Sequence, residues 1–256
     1  GAVHDARPHR VGAAPQVVGV EVVNDRLLLR RDGGKVVEIY VQQGRRDKRL
    51  GALIDLAKSH SVAVVECPRA KLDDLVSGRH QGVVALAEAA PSFDEKALPG
   101  LLAERPDALV LVLDGVTDPH NLGACLRSAD AAGVAAVIAP KDNAVGLTAT
   151  VRKVACGAAE SVPFVAVTNL SRTLKALQDA GLWVVGMAGE AEQMLYDIDL
   201  KGPVALVMGA EGSGLRRLTR EHCDFLAKLP MAGSVSSLNV SVATGVCLFE
   251  AVRQRR

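Results

Sequence analysis

An α/β fold built on a parallel sheet is what this 256-residue sequence predicts, and three observations point to it. Apolar runs of strand length recur at 109–113, 134–139, 162–167, 182–187 and 204–208. Stretches with helical spacing separate them near 122–132, 170–180 and 215–222. The runs are continuous rather than alternating, as expected of strands covered on both faces by crossover helices. With aromatics at only 3%, the core must be packed from Val, Leu, Ile and Ala.

The remaining segments follow in chain order. Residues 1–16 are rich in Ala, Pro, His and Arg without periodicity, and read as a disordered extension. Residues 17–90 read as a small α/β unit: a β-branched run at 36–41, helical spacing over 47–60, and short strands at 62–65 and 83–87. Residues 91–107 contain Pro91, Pro99, Gly100 and Pro106 and read as a linker. The larger unit, 108–256, ends in a helix over 240–255 that is apolar on most of its circumference, so it must be buried against the domain or a partner.

Composition excludes several classes. With 49% hydrophobic and 23% charged residues, the chain is neither disordered nor fibrous. No apolar run approaches the roughly 18 residues of a membrane helix, and no hydrophobic leader is seen. Five cysteines without a C-x-x-C spacing argue against a disulfide framework or zinc site, and fit a reducing cytoplasm. The six histidines form no pair at ligand spacing, so no metal is expected. The net charge of +1 conceals a bias: residues 1–90 hold 14 basic and 11 acidic side chains. Arg45, Arg46, Lys48 and Arg49 form the densest cluster, either a solvated helix start or a surface for RNA phosphates.

Three loops at strand ends could hold chemistry. The first runs from Asp114 through Asp118-Pro119 to Asn121, placed at a helix N-cap, with Arg127 two turns on and able to share its side. The second, Met208-Gly-Ala-Glu-Gly-Ser-Gly-Leu215, has three glycines in six residues and places Glu211 among them. Its G-x-x-G-x-G spacing is not that of a dinucleotide fold, and no Gly-Lys-Ser/Thr is present, which leaves an adenosine-type ligand bound by backbone groups. The third, 229–240, brings Ser237 and Asn239 to the start of the last helix. Each loop alone also suits plain helix capping or a tight turn; three together in one domain indicate a site.

The segments NLGACLRSAD, VMGAEGSGL and MAGSVSSLNVSVATG resemble the three motifs of the SpoU (SPOUT) class of S-adenosylmethionine-dependent RNA 2′-O-ribose methyltransferases. Within that class the likeness is greatest to members acting on a guanosine of 23S ribosomal RNA. It spans nearly all of 109–256, and takes in EIYVQQGRRDKR and His80-Gln81-Gly82 of the first unit.

The resemblance implies a C-terminal α/β trefoil knot, one of the rare exceptions to unthreaded topology, preceded by a ribosomal-protein-like RNA-binding domain. It implies S-adenosyl-L-methionine held around Gly209, Leu229 and Leu238, with Met208, Gly212 and Met231 beside them. It places Asn121, Arg127, Glu211, Ser237 and Asn239 in the catalytic site, with Glu211 expected to orient Arg127. It also implies a homodimer through the C-terminal domain and 23S ribosomal RNA or a large-subunit precursor as substrate. Where the family usually has Gly-x-His-Ala-Val, this chain reads Gly19-Val-Glu-Val-Val23. The rival readings are a transfer-RNA ribose methyltransferase, a non-catalytic RNA-binding or ribosome-assembly protein, and a nucleotide-dependent oxidoreductase. The missing G-x-G-x-x-G argues against the last.

Overall fold

The computed structural model describes residues 16–18, 36–76, 80–87 and 93–256. Residues 1–15 of the extension expected over 1–16, the Gly19–Val23 departure and Pro91 lie outside them, whereas Gln16 belongs to a strand. The chain divides into two compact units, 1–91 and 92–256.

The first unit has four strands, β1 (Gln16–Val18), β2 (Val36–Gln42), β3 (Ala63–Cys67) and β4 (Val83–Ala87), with helices α1 (Lys48–Ser59) and α2 (Arg69–Leu75). The sheet order is β1-β4-β2-β3, with β2 and β3 parallel. The helix expected over 47–60 is shorter by its cap: the Asp47 carboxylate accepts the Leu50 N–H at 3.0 Å, leaving Asp47 outside the first turn. Ile39, Val41, Leu50, Leu53, Ala57 and Val83 form this unit's core. Helix α2 was not expected, because its seven residues span too few turns for periodicity to show.

The second unit contains α3 (Leu98–Ala103), β5 (Leu109–Asp114), α4 (Pro119–Ala131), β6 (Ala136–Pro140), α5 (Ala149–Ala155), α6 (Ala158–Ser161) and β7 (Phe164–Val167). It continues with α7 (Leu170–Asp179), β8 (Trp183–Met187), β9 (Gln193–Met194), β10 (Val204–Gly209), α8 (Arg217–Glu221), β11 (Phe225–Lys228) and α9 (Val240–Gln254). All seven strands are parallel, in the order β7-β6-β5-β10-β8-β11-β9. Along β5, Leu109, Leu111 and Leu113 face the layer of α4, α5, α6 and α9, while Val110 and Val112 face the layer of α3 and α7. That two-sided burial explains the unbroken apolar runs. Strands β9 and β11 were missed, being two and four residues long.

Residues 93–107, expected as a linker, instead fold onto the second unit. Leu98 is buried there with Phe93, Leu101 and Leu102 packed alongside. Glu95 accepts from Thr168 N at 2.5 Å and pairs with Arg172 at 2.8 Å. Pro99 sits in the first turn of α3, where a proline is tolerated, so it punctuates a helix rather than a loop. Among the described residues no helix is long and apolar enough to cross a membrane.

Candidate active site

Strands β5, β10 and β11 all run toward the same end of the sheet, so the loops that follow them meet there. The first loop enters α4 differently from expectation. Asp118, not Asn121, is the N-cap, accepting the His120 N–H at 3.0 Å, and Pro119 follows it inside the first turn. Asn121 is therefore helical and buried, with its side-chain amide free to bond across the site.

That amide is one corner of a three-loop junction. Asn121 Nδ2 donates to Glu211 Oε1 at 3.1 Å, and Asn239 Nδ2 donates to the same oxygen at 2.6 Å. Asn239 Nδ2 also lies 3.1 Å from Asn121 Oδ1, and the Val240 N–H reaches Glu211 Oε1 at 3.4 Å. Asn239 Oδ1 meanwhile caps α9, accepting from Ser241 N at 2.9 Å. One amide thus starts a helix with its oxygen and ties two loops with its nitrogen. An oxygen that accepts several N–H groups is well served by a carboxylate.

Arg127 is not at this junction, which corrects the expectation that Glu211 orients it. Six residues along an α-helix turn the side chain by about 600°, leaving Arg127 about 120° around from Asn121. It is exposed, and its Nη1 lies 3.8 Å from Cys156 Sγ. Cys156 is the C-cap of α5 in the left-handed region, φ 51°. Among the described residues no carboxylate pairs with Arg127, so its guanidinium keeps its hydrogen-bonding capacity for another anion.

Helix α4 is held by close packing. A Cβ on Gly123 would stand 2.6 Å from Val154 Cβ, so α4 and α5 meet only because that position is glycine. On another side of α4, Cys125 Sγ donates to Thr244 Oγ1 of α9 at 3.6 Å. Burial pushes the Cys125 thiol up to about 11 and Cys247 to about 12, so both behave as packing groups rather than nucleophiles.

The glycine loop is built around Gly209, whose added Cβ would be 2.2 Å from Gly214 C. Ala210 and Gly214 exchange backbone bonds of 3.1 and 2.9 Å, and Gly212 and Gly214 take positive φ. Sequence reasoning did not single out Arg216: its backbone N–H and Nε bond the two oxygens of the buried Asp114 at 2.9 and 2.5 Å. The sequence signal was an arginine directly following a glycine loop.

Of the residues assigned to the cofactor, Met208 is buried, Leu229 packs partly against the core, and Gly212, Met231 and Leu238 are exposed. Ser237 is exposed two residues before Asn239. Among the described residues, no backbone–backbone hydrogen bond involves 230–238. Unused backbone donors and acceptors beside exposed apolar side chains are what an adenosine-containing ligand can use, so the loop fits S-adenosylmethionine.

In the first unit, the basic cluster divides. Arg45 is half-buried and its Nε pairs with Asp47 Oδ2 at 2.5 Å, whereas Arg46, Lys48 and Arg49 are exposed. The His80–Gly82 turn lies beside Arg45: Gln42 N donates to Gly82 O at 2.8 Å, and a Cβ on Gly82 would meet Arg45 Nη1 at 2.9 Å. His80 is buried, with Nε2 2.7 Å from Asp73 Oδ1 and Nδ1 accepting Gly82 N–H.

A two-sided parallel sheet with three polar motifs joined at one end defines the class: the chain belongs to the SpoU rRNA Methylase family. That family's model matches 108–249, and a model for RNA 2′-O ribose methyltransferase substrate binding matches 17–93. Over 242 residues the chain is 61% identical to the 23S rRNA (guanosine-2′-O-)-methyltransferase RlmB of Pseudomonas aeruginosa, covering 94% of this chain and 96% of that protein. The protein of that name from Escherichia coli is 56% identical over 240 residues, covering 93% and 98%. Among solved structures, the SpoU methyltransferase AviRb from Streptomyces viridochromogenes superposes with a TM-score of 0.75 at 27% identity, covering 94% of this chain and 90% of that one. AviRb in complex with the cofactor AdoMet matches with a TM-score of 0.70 at 29% identity, covering 88% and 85%.

Proposed function

We propose that this chain transfers a methyl group from S-adenosylmethionine to the ribose 2′-hydroxyl of a guanosine in 23S ribosomal RNA. The observation that supports it best is the Asn121–Glu211–Asn239 junction, which ties all three family motifs together at the strand ends. The identity to RlmB proteins over nearly the whole chain supports the nucleotide and the RNA.

The bound cofactor supplies an electrophilic methyl group on a sulfonium; the chain's residues position and desolvate the reactants around it. Met208, Gly209, Gly212, Leu229, Met231 and Leu238 hold it, chiefly by backbone. The junction keeps the loops carrying these residues in register. Arg127, which pairs with no carboxylate among the described residues, binds the phosphate beside the reacting ribose and the oxygen as negative charge develops on it. Arginine stays protonated, so it is an electrostatic clamp rather than the proton acceptor. Ser237 and Asn239 border the ribose. Arg45, Arg46, Lys48 and Arg49 of the first unit contact RNA phosphates.

The same reading includes the knotted crossing of the 229–239 segment and a homodimer through the second unit. Val242, Val246 and Phe249 are exposed on α9 at spacings of four and three residues, one apolar seam on a helix otherwise packed against α4 and β10. Incubation with unmodified 23S ribosomal RNA and labelled S-adenosylmethionine should place one 2′-O-methyl group on one guanosine. Transfer only to transfer RNA, or RNA binding without cofactor binding, overturns the proposal.

A further inference from the structure

Asp114 is a fully buried carboxylate at the end of β5, and its register partner across the sheet is Gly209, the residue from which the glycine loop departs. The loop leaves β10 at Gly209, closes on itself through Ala210 and Gly214, and returns to place Arg216 on Asp114. One Asp114 oxygen takes the Arg216 backbone N–H at 2.9 Å, and the other takes Nε at 2.5 Å. Gly115, the next residue of the β5 exit, has φ 88°, and a Cβ there would lie 3.6 Å from Ala210 Cβ. The stem of the loop is therefore seated on the end of β5, while its tip, Glu211, is held by Asn121 and Asn239.

We infer that Asp114 and Arg216 are a positioning pair for methyl transfer, setting the stem of the glycine loop and through it the place of Glu211 and of Gly209 and Gly212. This rests on the function proposed above. The backbone bridge between Ala210 and Gly214 already closes the loop, so closure does not need the ion pair. A carboxylate buried behind a half-exposed arginine is a costly way to add stability. What it adds is direction: a backbone N–H and a planar guanidinium can satisfy both oxygens in few geometries, and this fixes where the chain re-enters α8. Loop placement to a fraction of an ångström is what alignment of a methyl donor with a nucleophile demands. Asp114 and Arg216 act through the loop and are not themselves catalytic.

The test uses full-length Asp114→Asn and Arg216→Gln, with Arg216→Lys as the conservative variant. Three quantities are read: S-adenosylmethionine affinity by calorimetry, kcat and KM for each substrate on unmodified 23S ribosomal RNA, and amide exchange at 210–216 without ligands. Expected for Asp114→Asn and Arg216→Gln are faster exchange at residues 210, 214 and 216, roughly tenfold weaker cofactor binding and a lower kcat, with KM for RNA unchanged. Arg216→Lys, which keeps the charge, should recover part of the loss. Arg216 lies half outside the protein, so Arg216→Gln retains the fold even where Asp114→Asn does not. A folded Arg216→Gln protein with wild-type exchange, affinity and kcat overturns the inference. If wild-type protein itself neither binds the cofactor nor transfers methyl while the variants still exchange faster, the proposed function fails and the loop-positioning role stands.

Discussion

Asn239 Nδ2 lies 2.6 Å from Glu211 Oε1 while Asn239 Oδ1 caps α9, so a single side chain couples helix initiation to the register of the glycine loop. That amide links the start of α9, the glycine loop and Asn121 to one another.

Substituting Glu211→Gln should reduce kcat/KM by roughly tenfold to a hundredfold, the effect of losing a charged hydrogen-bond acceptor. Asn239→Asp is the sharper probe. Aspartate caps helices as well as asparagine does, but here it sets a second carboxylate against Glu211. Helix content by circular dichroism should persist while methyl transfer is lost.

Arg127 is exposed and pairs with no carboxylate among the described residues, so its loss should leave the fold and cofactor binding close to wild type. Arg127→Ala should abolish most transfer. Arg127→Lys should also fail, since a point charge does not replace a planar fork. Steady-state kinetics alongside cofactor titration separates the two effects, and full activity of the lysine variant rules out the clamp.

The basic cluster should contribute unevenly. Replacing Arg46, Lys48 and Arg49 with Ala should lower the salt dependence of RNA binding by roughly one unit of log–log slope per lost phosphate contact. Arg45→Ala should change it less, because its guanidinium is paired with Asp47. Filter-binding titrations over a range of salt concentrations measure both.

The α9 seam offers a direct test of assembly. Val246→Asp places a charge among Val242 and Phe249, and sedimentation should show a shift toward monomer together with weaker cofactor binding. A folded monomer that binds S-adenosylmethionine normally would show that seam and pocket are independent.

Glu250 should make the protein acid-sensitive. Hydrogen bonds from Arg253 hold its carboxyl at about 2, well below the ordinary 4.5, and Gln254, itself bonded to Ile198 and Leu200, adds a further donor. A lowered folded value means stability present above pH 4.5 and lost as pH falls toward about 2. Comparing acid unfolding of wild type and Glu250→Gln, the stability gap should be widest above pH 4.5 and close within that window.

The apolar runs by themselves determined the strands β5, β6, β7, β8 and β10, because a strand buried on two faces must be apolar at every position, and the helices between them made the sheet parallel. The three motif segments likewise named Asn121, Glu211 and Asn239 before any contact was known. Which of these residues touch was decided only by tertiary structure. Asn121 and Glu211 are 90 positions apart, and their hydrogen bond depends on strand order, which periodicity does not encode. Helix geometry then sent Arg127 to Cys156 rather than to Glu211. The segment 93–107 shows the same division: its prolines and glycine read locally as a linker, yet Leu98 and Glu95 found partners in α7 and its neighbouring strands. Local sequence sets what a segment can form; burial and pairing with distant residues set what it becomes.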